Sequence, residues 1–304
     1  RSGRAWGQSS AQVTKGRDNV KEIFTELEVP LLKGLPAIEA LTANVSARAF
    51  DYASVGDSDY VWKVGLSWQL NSAVRFRATK GTSYRAPGLY ELYLGNLTGF
   101  AGQLAIDPCI NWAESTNDFI RANCAAAGIP DDYAAAGSSS ATITTGGGAG
   151  FLKPETSRAF TVGTILTPSW APISVAFDYF DYEVNDQIST LSSATILGGC
   201  YGSPVFPNNF CNNFRRNPGT GPQAHMITDV FATYINVNLQ KVRGYDLLVR
   251  WDDDYSFGKL SVETQLTYTM EDVNLLFEDP LGGGYVRSNN VGYIGNPKLV
   301  GNLN

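Results

Sequence analysis

Apolar and polar residues alternate with a period of two along most of the chain, and the phase holds over long stretches. Between 60 and 70, Tyr60, Trp62, Val64, Leu66, Trp68 and Leu70 share one face, with Val61, Lys63, Gly65, Ser67 and Gln69 on the other. Residues 260–270 repeat this, setting Leu260, Val262, Thr264, Leu266, Tyr268 and Met270 against Ser261, Glu263, Gln265, Thr267 and Thr269. Runs at 41–50 and 173–179 behave alike. Successive side chains of a strand point to opposite faces, so the pattern predicts strands with one apolar face; no helical period of useful length competes.

The runs give about nine strands, at 19–30, 37–53, 59–70, 73–84, 156–167, 172–188, 229–251, 257–275 and 292–304. Their connections are uneven. Those at 71–72, 168–171 and 252–256 are short, whereas 85–155, 189–228 and 276–291 are long. A soluble sandwich usually has loops of about 2–6 residues at both ends. Tight turns at one end and long loops at the other are the signature of an outer-membrane β-barrel, with short periplasmic turns and long extracellular loops. Several strands also exceed the roughly 9–11 residues that span lipid. The expected fold is therefore all-β, a transmembrane antiparallel β-barrel.

Composition agrees. Hydrophobic residues make up 43% and charged residues 17%, the latter below the globular average of about 25%. A net charge of −6 supplies no basic stripe for nucleic acid. There is no run of 18 apolar residues, which argues against a membrane helix and leaves a barrel open. The more polar face carries Arg48, Lys63, Arg75, Arg77, Asp178, Asp246, Arg250 and Glu263, expected to line a lumen. On the apolar row of 229–251, Lys241 and Arg243 interrupt. Either they sit at the outer headgroup level, or a β-bulge flips the phase there. Tyr60, Trp62, Tyr179, Phe180, Tyr182, Trp251 and Tyr255 fall near predicted strand ends, as interfacial girdles would.

The chemistry-bearing residues point to scaffolding. Cys109 and Cys124 lie in one long loop and Cys200 and Cys211 in another, and each couple is expected to form a disulfide in an oxidising compartment. With no CxxC spacing and a single histidine, His225, no metal site is expected. His225 reads as a surface residue. "TTGGGAG" (144–150) has no following Gly-Lys-Ser/Thr and reads as a flexible loop tip. Asp252, Asp253 and Asp254 read as a solvated tight turn. No catalytic constellation appears, so neither enzyme activity nor a cofactor is expected. The opening "RSGRAWGQSS" and the closing "NPKLVGNLN" both read as cut ends of a longer chain.

Three phrases carry a family resemblance. "VRFRATKGTSYRAPGLYELY", then after a long insertion "LKPETSRAFTVGTIL", and later "KVRGYDLLVRW" resemble the barrel of a TonB-dependent outer-membrane receptor. The resemblance implies a barrel of about 22 strands closed around an N-terminal plug, and uptake of a scarce ligand with energy relayed through TonB. Residues 1–304 would then be part of the barrel domain, with the plug and the final closing strands outside this sequence. A ferric siderophore or an oligosaccharide-like nutrient would be the ligand, and outer-membrane lipid and lipopolysaccharide the surroundings. Tyr84, Arg85, Tyr90, Tyr93 and Trp112 on the first long loop, with Arg215 and Arg216 on the second, are the candidate ligand contacts. Arginine suits anionic ligands, and aromatic faces suit sugars or planar siderophores. A passive porin and a secreted β-sandwich binding module are the competing readings.

Overall fold

The alternating segments build one large antiparallel sheet, seen in a computed structural model that describes residue 9 and residues 11–135, 139–278 and 285–304. Strands β1 (Val20–Leu35), β2 (Ile38–Tyr52), β3 (Asp57–Asn71) and β4 (Val74–Arg85) form a meander. The first long connection holds α1 (Leu89–Tyr93), β5 (Leu97–Gly102), α2 (Gln103–Ile106), α3 (Asp118–Ala126) and β6 (Ser140–Thr145). The chain returns as β7 (Glu155–Leu166) and β8 (Ile173–Thr190). A second long connection carries α4 (Ser193–Tyr201), β9 (Phe214–Arg216) and β10 (Ile227–Phe231). Then follow β11 (Tyr234–Tyr255), β12 (Gly258–Glu278), β13 (Tyr285–Asn289) and β14 (Leu299–Leu303). The large sheet runs β1-β2-β3-β4-β7-β8-β11-β12-β13, with β14 also on β12, and is open at both edges.

Three boundaries differ from expectation. The segment 229–251 is two strands: β10 joins a separate small sheet, and β11 starts after Ala232 and Thr233. Ala232 N–H bonds the Thr144 carbonyl at 2.8 Å and Tyr234 N–H bonds that of Gly146 at 3.2 Å, so the break follows the loop, although the apolar phase runs through it. The last strand, expected over 292–304, is confined to Leu299–Leu303, and the connection expected over 276–291 holds the end of β12 and all of β13. From the Val273–Asn289 pair to the Tyr268–Leu299 pair, β12 advances five residues (273 to 268) and its partner ten (289 to 299). The five surplus residues loop out with Gly292 and Gly295 at φ of 88° and 91°, a conformation glycine adopts freely. Since β13 and β14 lie along one neighbour, the sheet is nine strands wide. Finally, Asp252, Asp253 and Asp254 extend β11 opposite Ser261, Leu260 and Lys259 instead of forming the turn itself.

Directly paired residues share a face, so the registers assign the side chains within the paired stretches; Tyr84, beyond the last β3–β4 pair, turns its ring onto Phe50 and Tyr52 of the polar face. Arg48, Lys63, Arg75, Arg77, Asp178, Asp246, Arg250 and Glu263 all fall on the same face. One cross-strand row on it reads Ser67, Arg77, Gly163, Asp178, Asp246, Thr267. Arg77 donates to both Asp178 oxygens, at 2.8 and 2.6 Å, across the strand that bears Gly163. A Cβ on Gly163 would lie 2.1 Å from Asp178 Oδ1, so the missing side chain is what lets the pair close. The same face lines a trough of about 800 Å3 over β1–β4, with Lys63, Gln69, Arg75 and Arg77 on its walls.

The opposite face is apolar. Its rows include Trp68–Phe76 and Phe177–Leu247–Leu266, and above these Tyr179–Tyr245–Tyr268. From Tyr245 to Tyr255 is ten residues, about 33 Å of strand, which at the usual tilt is about 25 Å of height, that of an outer-membrane apolar band, with Asp253 on this face near its short-turn end. Exposed Trp170 and Phe257, 85% and 82% accessible, sit at its short-turn end. Phe180 and Tyr182 do not belong to this girdle: they pair with Thr161 and Ala159, on the polar face. Lys241 and Arg243 stay on the apolar side, because β11 keeps an unbroken register with β8 through Glu183 and Asp181. A register shift does occur beside them, but the additional residue is on β12, between Thr269 and Glu271.

Substituting Gly163→Ala in the intact barrel is expected to displace Asp178 from Arg77 and lower stability by about 1–3 kcal/mol, the usual range for overpacking. The urea midpoint should fall, whereas Gly99→Ala, where a Cβ meets nothing within 4 Å, should leave it nearly unchanged.

Candidate functional site

The two long connections fold together into one domain at the long-loop end of the sheet. Strand β6 of the first pairs in parallel with β10 of the second, within a four-stranded sheet ordered β5-β6-β10-β9. The Gln103 side chain seals the junction: its amide donates to the Ile227 carbonyl at 2.6 Å and its oxygen accepts from Ile227 N–H at 3.0 Å. Asn123 likewise donates to the carbonyls of Tyr201 and Ser203. Ile196, Leu197, Ile227 and Val230 are almost wholly buried in the shared core. Cys109–Cys124 and Cys200–Cys211 are both disulfide-bonded, with three of the four cysteines fully buried in that core.

A buried ion pair holds the two loops at their centre. Arg216 donates to both oxygens of Asp107, at 2.8 and 2.7 Å, and to the Tyr201 hydroxyl at 3.0 Å and the His225 carbonyl at 2.5 Å. Its side chain is 10% exposed and that of Asp107 not at all. Burial works against the charge of Arg216, but the hydrogen bonds and attraction from Asp107 more than offset it and hold its pKa above the ordinary value. Arg216, expected among the ligand contacts, is thus committed to the domain interior. Tyr133 also donates to the His225 carbonyl, at 3.1 Å. Burial, with the Asp107 carboxylate nearby, pushes its phenol up to about 12. His225, expected at the surface, is half-buried with φ of 60° and its ring edge-on to Tyr133; its backbone carbonyl does the work.

At the rim, Arg85 fastens the loop domain to the barrel. Its guanidinium bonds Glu155 on β7 at 2.7 and 2.6 Å and Glu91 on α1 at 3.0 and 3.1 Å. Glu91 in turn accepts from Gly88 N–H, and Glu155 from Ile188 N–H. The Tyr84 ring packs on Phe50 and Tyr52, with centroids at 4.4 and 5.7 Å. Tyr93 packs beside the buried cluster of Leu92, Leu152 and Ile188. Glycines 146–148, expected as a flexible tip, are close-packed there. Gly147 and Gly148 donate to the carbonyls of Leu94 and Glu91, and a Cβ on Gly147 would stand 2.3 Å from the Leu92 oxygen.

The remaining candidates are peripheral. Trp112 donates its indole N–H to the Pro130 carbonyl at 2.8 Å and packs on the loop core. Tyr90 is 53% exposed and edge-on to Tyr234. Arg215 is exposed, its guanidinium 5.4 Å from the Phe231 ring centroid. Of the seven candidates, Arg85, Tyr90 and Arg215 are exposed, and Arg85 is committed to Glu91 and Glu155. Asp107, Tyr133, Glu91 and Glu155 were not expected at all. Glu155 alone carried a signal, since it opens the strand that pairs with the end of β4.

Breaking a buried pair by removing one partner costs about 3–5 kcal/mol, so Asp107→Ala is expected to open the loop domain to protease while the detergent-resistant barrel persists on gels. The alkaline limb follows from Tyr133. An unfolded tyrosine ionises near 10 and this one near 12, so its contribution is complete below pH 10 and lost as the pH rises towards 12. Protease resistance of the loop domain should fall across that window, and less steeply in Tyr133→Phe.

The sequence matches the family described as TonB dependent receptor-like, beta-barrel, over residues 2–304. Among solved structures, the chain is similar to the ferric enterobactin receptor PfeA of Pseudomonas aeruginosa, at 19% identity and a TM-score of 0.50, over 94% of this chain and 30% of that one. It is also similar to the siderophore receptors PirA of Acinetobacter baumannii (14% identity, TM-score 0.48, 87% and 31% covered) and of Pseudomonas aeruginosa (13%, 0.49, 85% and 37%). The chain spans about a third of the length of these structures. The family match over nearly every residue, with the nine-strand antiparallel sheet and its folded loops, shows that the chain belongs to the TonB-dependent receptors, outer-membrane β-barrel proteins of Gram-negative bacteria.

Proposed function

We propose that the whole receptor takes up a scarce ligand, a ferric siderophore, across the outer membrane with energy relayed by TonB. The observation that carries this reading is the loop domain itself. Two disulfides, a buried ion pair and a small sheet hold it over the rim in one fixed shape. A passive pore has no need of such a structure, whereas a receptor for a dilute solute gains affinity from a preorganised surface. In this reading Tyr90 and Arg215 meet the ligand, an aromatic face and a cation suited to an anionic, aromatic iron chelate. Tyr84, Arg85, Tyr93, Trp112 and Arg216 set the shape on which those two stand. The polar face turns inward to a plug, and the apolar face contacts lipid and lipopolysaccharide.

The test is a titration of the full-length receptor in detergent with a ferric catecholate siderophore, followed by tryptophan fluorescence. Saturable quenching is expected. Tyr90→Ala and Arg215→Ala should each weaken it by roughly five-fold, about 1 kcal/mol. Radioactive iron uptake should vanish in cells lacking TonB. Saturation by oligosaccharides, with no response to the iron chelate, would replace the ligand class; uptake undiminished without TonB would establish a passive pore.

A further inference from the structure

The barrel wall parts near its upper rim. Pairing between β3 and β4 ends at Lys63–Gly81, while β3 continues upward on β2 to Asp57 and β4 continues on β7 to Arg85. Trp62 N–H, donating to Thr82 Oγ1 at 3.2 Å, bridges the foot of the parting. A crevice of about 220 Å3 follows, with Asp59, Tyr84 and Arg158 on its walls. It adjoins a cleft of about 690 Å3 between the β2–β3 turn and the arm 150–154 that leads into β7. Asp59, Tyr84 and Thr156 line both, so the two make one recess, and neither Tyr90 nor Arg215 is on its walls. Ala78 is level with the row Tyr179–Tyr245, and from it to Tyr84 is six residues, about 20 Å of strand. The recess therefore opens to water above the membrane.

Both walls of the cleft are fastened from behind. Asp18 ties down the β2–β3 turn, accepting from Ser54 N–H at 2.9 Å and from the Ser54 hydroxyl at 2.7 Å. Asn236 holds the opposite arm: it exchanges hydrogen bonds with the Lys153 backbone, both at 2.8 Å, and donates to the Asp186 carbonyl at 2.6 Å. Leu152 is buried, whereas its neighbours Phe151 and Lys153 are exposed on the cleft wall. The Tyr84 ring is backed by Phe50 and Tyr52. Two anchored aromatic rings thus line a space of the size usual for small-molecule sites.

The charges around that space are mixed. Asp59, Asp186 and Lys153 stand on the cleft walls, and Arg158 in the crevice faces Glu183 in register. Asp59 accepts from Tyr60 N–H at 2.7 Å. Among the described residues, the Asp186 carboxylate and the Lys153 ammonium have no hydrogen-bond or ion-pair partner. Three carboxylates against two cations offer no attraction to an anionic chelate. No group of three His, Cys, Asp or Glu gathers for a metal among the described residues. The recess combines aromatic faces with carboxylate acceptors and an ammonium donor. A ring with C–H bonds on its face and hydroxyls on its edge satisfies both kinds of wall.

We propose that the recess binds a small neutral oligosaccharide free in solution. A sugar ring stacks on Phe151 and Tyr84, and its hydroxyls bond Asp59, Asp186 and Lys153. The site is separate from the face that carries Tyr90 and Arg215, and it does not depend on iron uptake.

The experiment places the full-length receptor in nanodiscs of phosphatidylethanolamine and phosphatidylglycerol, free of glycolipid. A mixture of short neutral oligosaccharides cut from starch, cellulose, xylan and mannan is added, and saturation-transfer difference NMR reads which sugar protons touch the protein. Transfer to the ring protons of at least one sugar is expected. F151A should weaken binding of that sugar about five-fold and D186N about ten-fold, asparagine being at ease with the φ of 53° at this position. Heat-modifiable migration checks that both variants fold. Transfer to no sugar, or binding unchanged in both folded variants, would overturn the proposal. Equal transfer to an oligogalacturonate would overturn the choice of a neutral ligand. A ferric catecholate should not displace the sugar; displacement would merge the recess with the uptake site and overturn its independence. Iron-chelate binding should be unchanged in F151A and D186N, so a failed sugar result and a failed uptake result remain separable.

Discussion

In hydrocarbon a backbone N–H or C=O has no water to bond, so a strand that enters a membrane must be paired along its length. Continuous pairing fixes register, and register decides which side chains face lipid, because a slip of one residue exchanges the two faces. That constraint accounts for the eight charged residues on one side of this sheet, drawn from six different strands. It accounts equally for Gly163, which is small because the row through it must carry Arg77 to Asp178. The irregularities obey it too: the additional residue on β12 and the loop of 290–298 both adjust the partner while β11 keeps its phase with β8.

Above the rim the physics changes. Water is available, strands are short, and the domain relies on what a small soluble protein uses: an apolar core, disulfides and a few satisfied buried polar groups. Its central ion pair is matched on both sides. Arg216 has four acceptors and Asp107 a fork of donors, which is what a buried pair requires to offset its desolvation. Arg85 joins the two regimes, since it closes a strand and also clamps α1.

Local pattern made the barrel part readable. A period of two is visible in ten residues, so nine strands, their faces and the uneven ends follow from sequence, and nearness along the chain sufficed to pair the cysteines. The loop domain was hidden because its contacts are remote: Asp107 meets Arg216 across 109 positions and Gln103 meets Ile227 across 124. No periodicity records such a meeting. Arg216 and Arg215 look alike in sequence, and one residue of strand alternation separates a buried structural cation from an exposed one. Phase also misled where Phe231, Thr233 and Ile235 continued an apolar row across the break between β10 and β11. Glycines 146–148 advertise freedom, yet two backbones approach there more closely than any side chain would allow.

The parallel pairing of β6 with β10 makes the loop domain a composite of two connections. Each disulfide closes within its own loop, over 15 and 11 positions, and so constrains one connection alone. The sheet that unites the loops cannot form within either, because β6 precedes β7 and β8 in the chain and β10 follows them. Either staple closes without the other loop, whereas the shared sheet needs both halves and the two barrel strands that separate them in the chain.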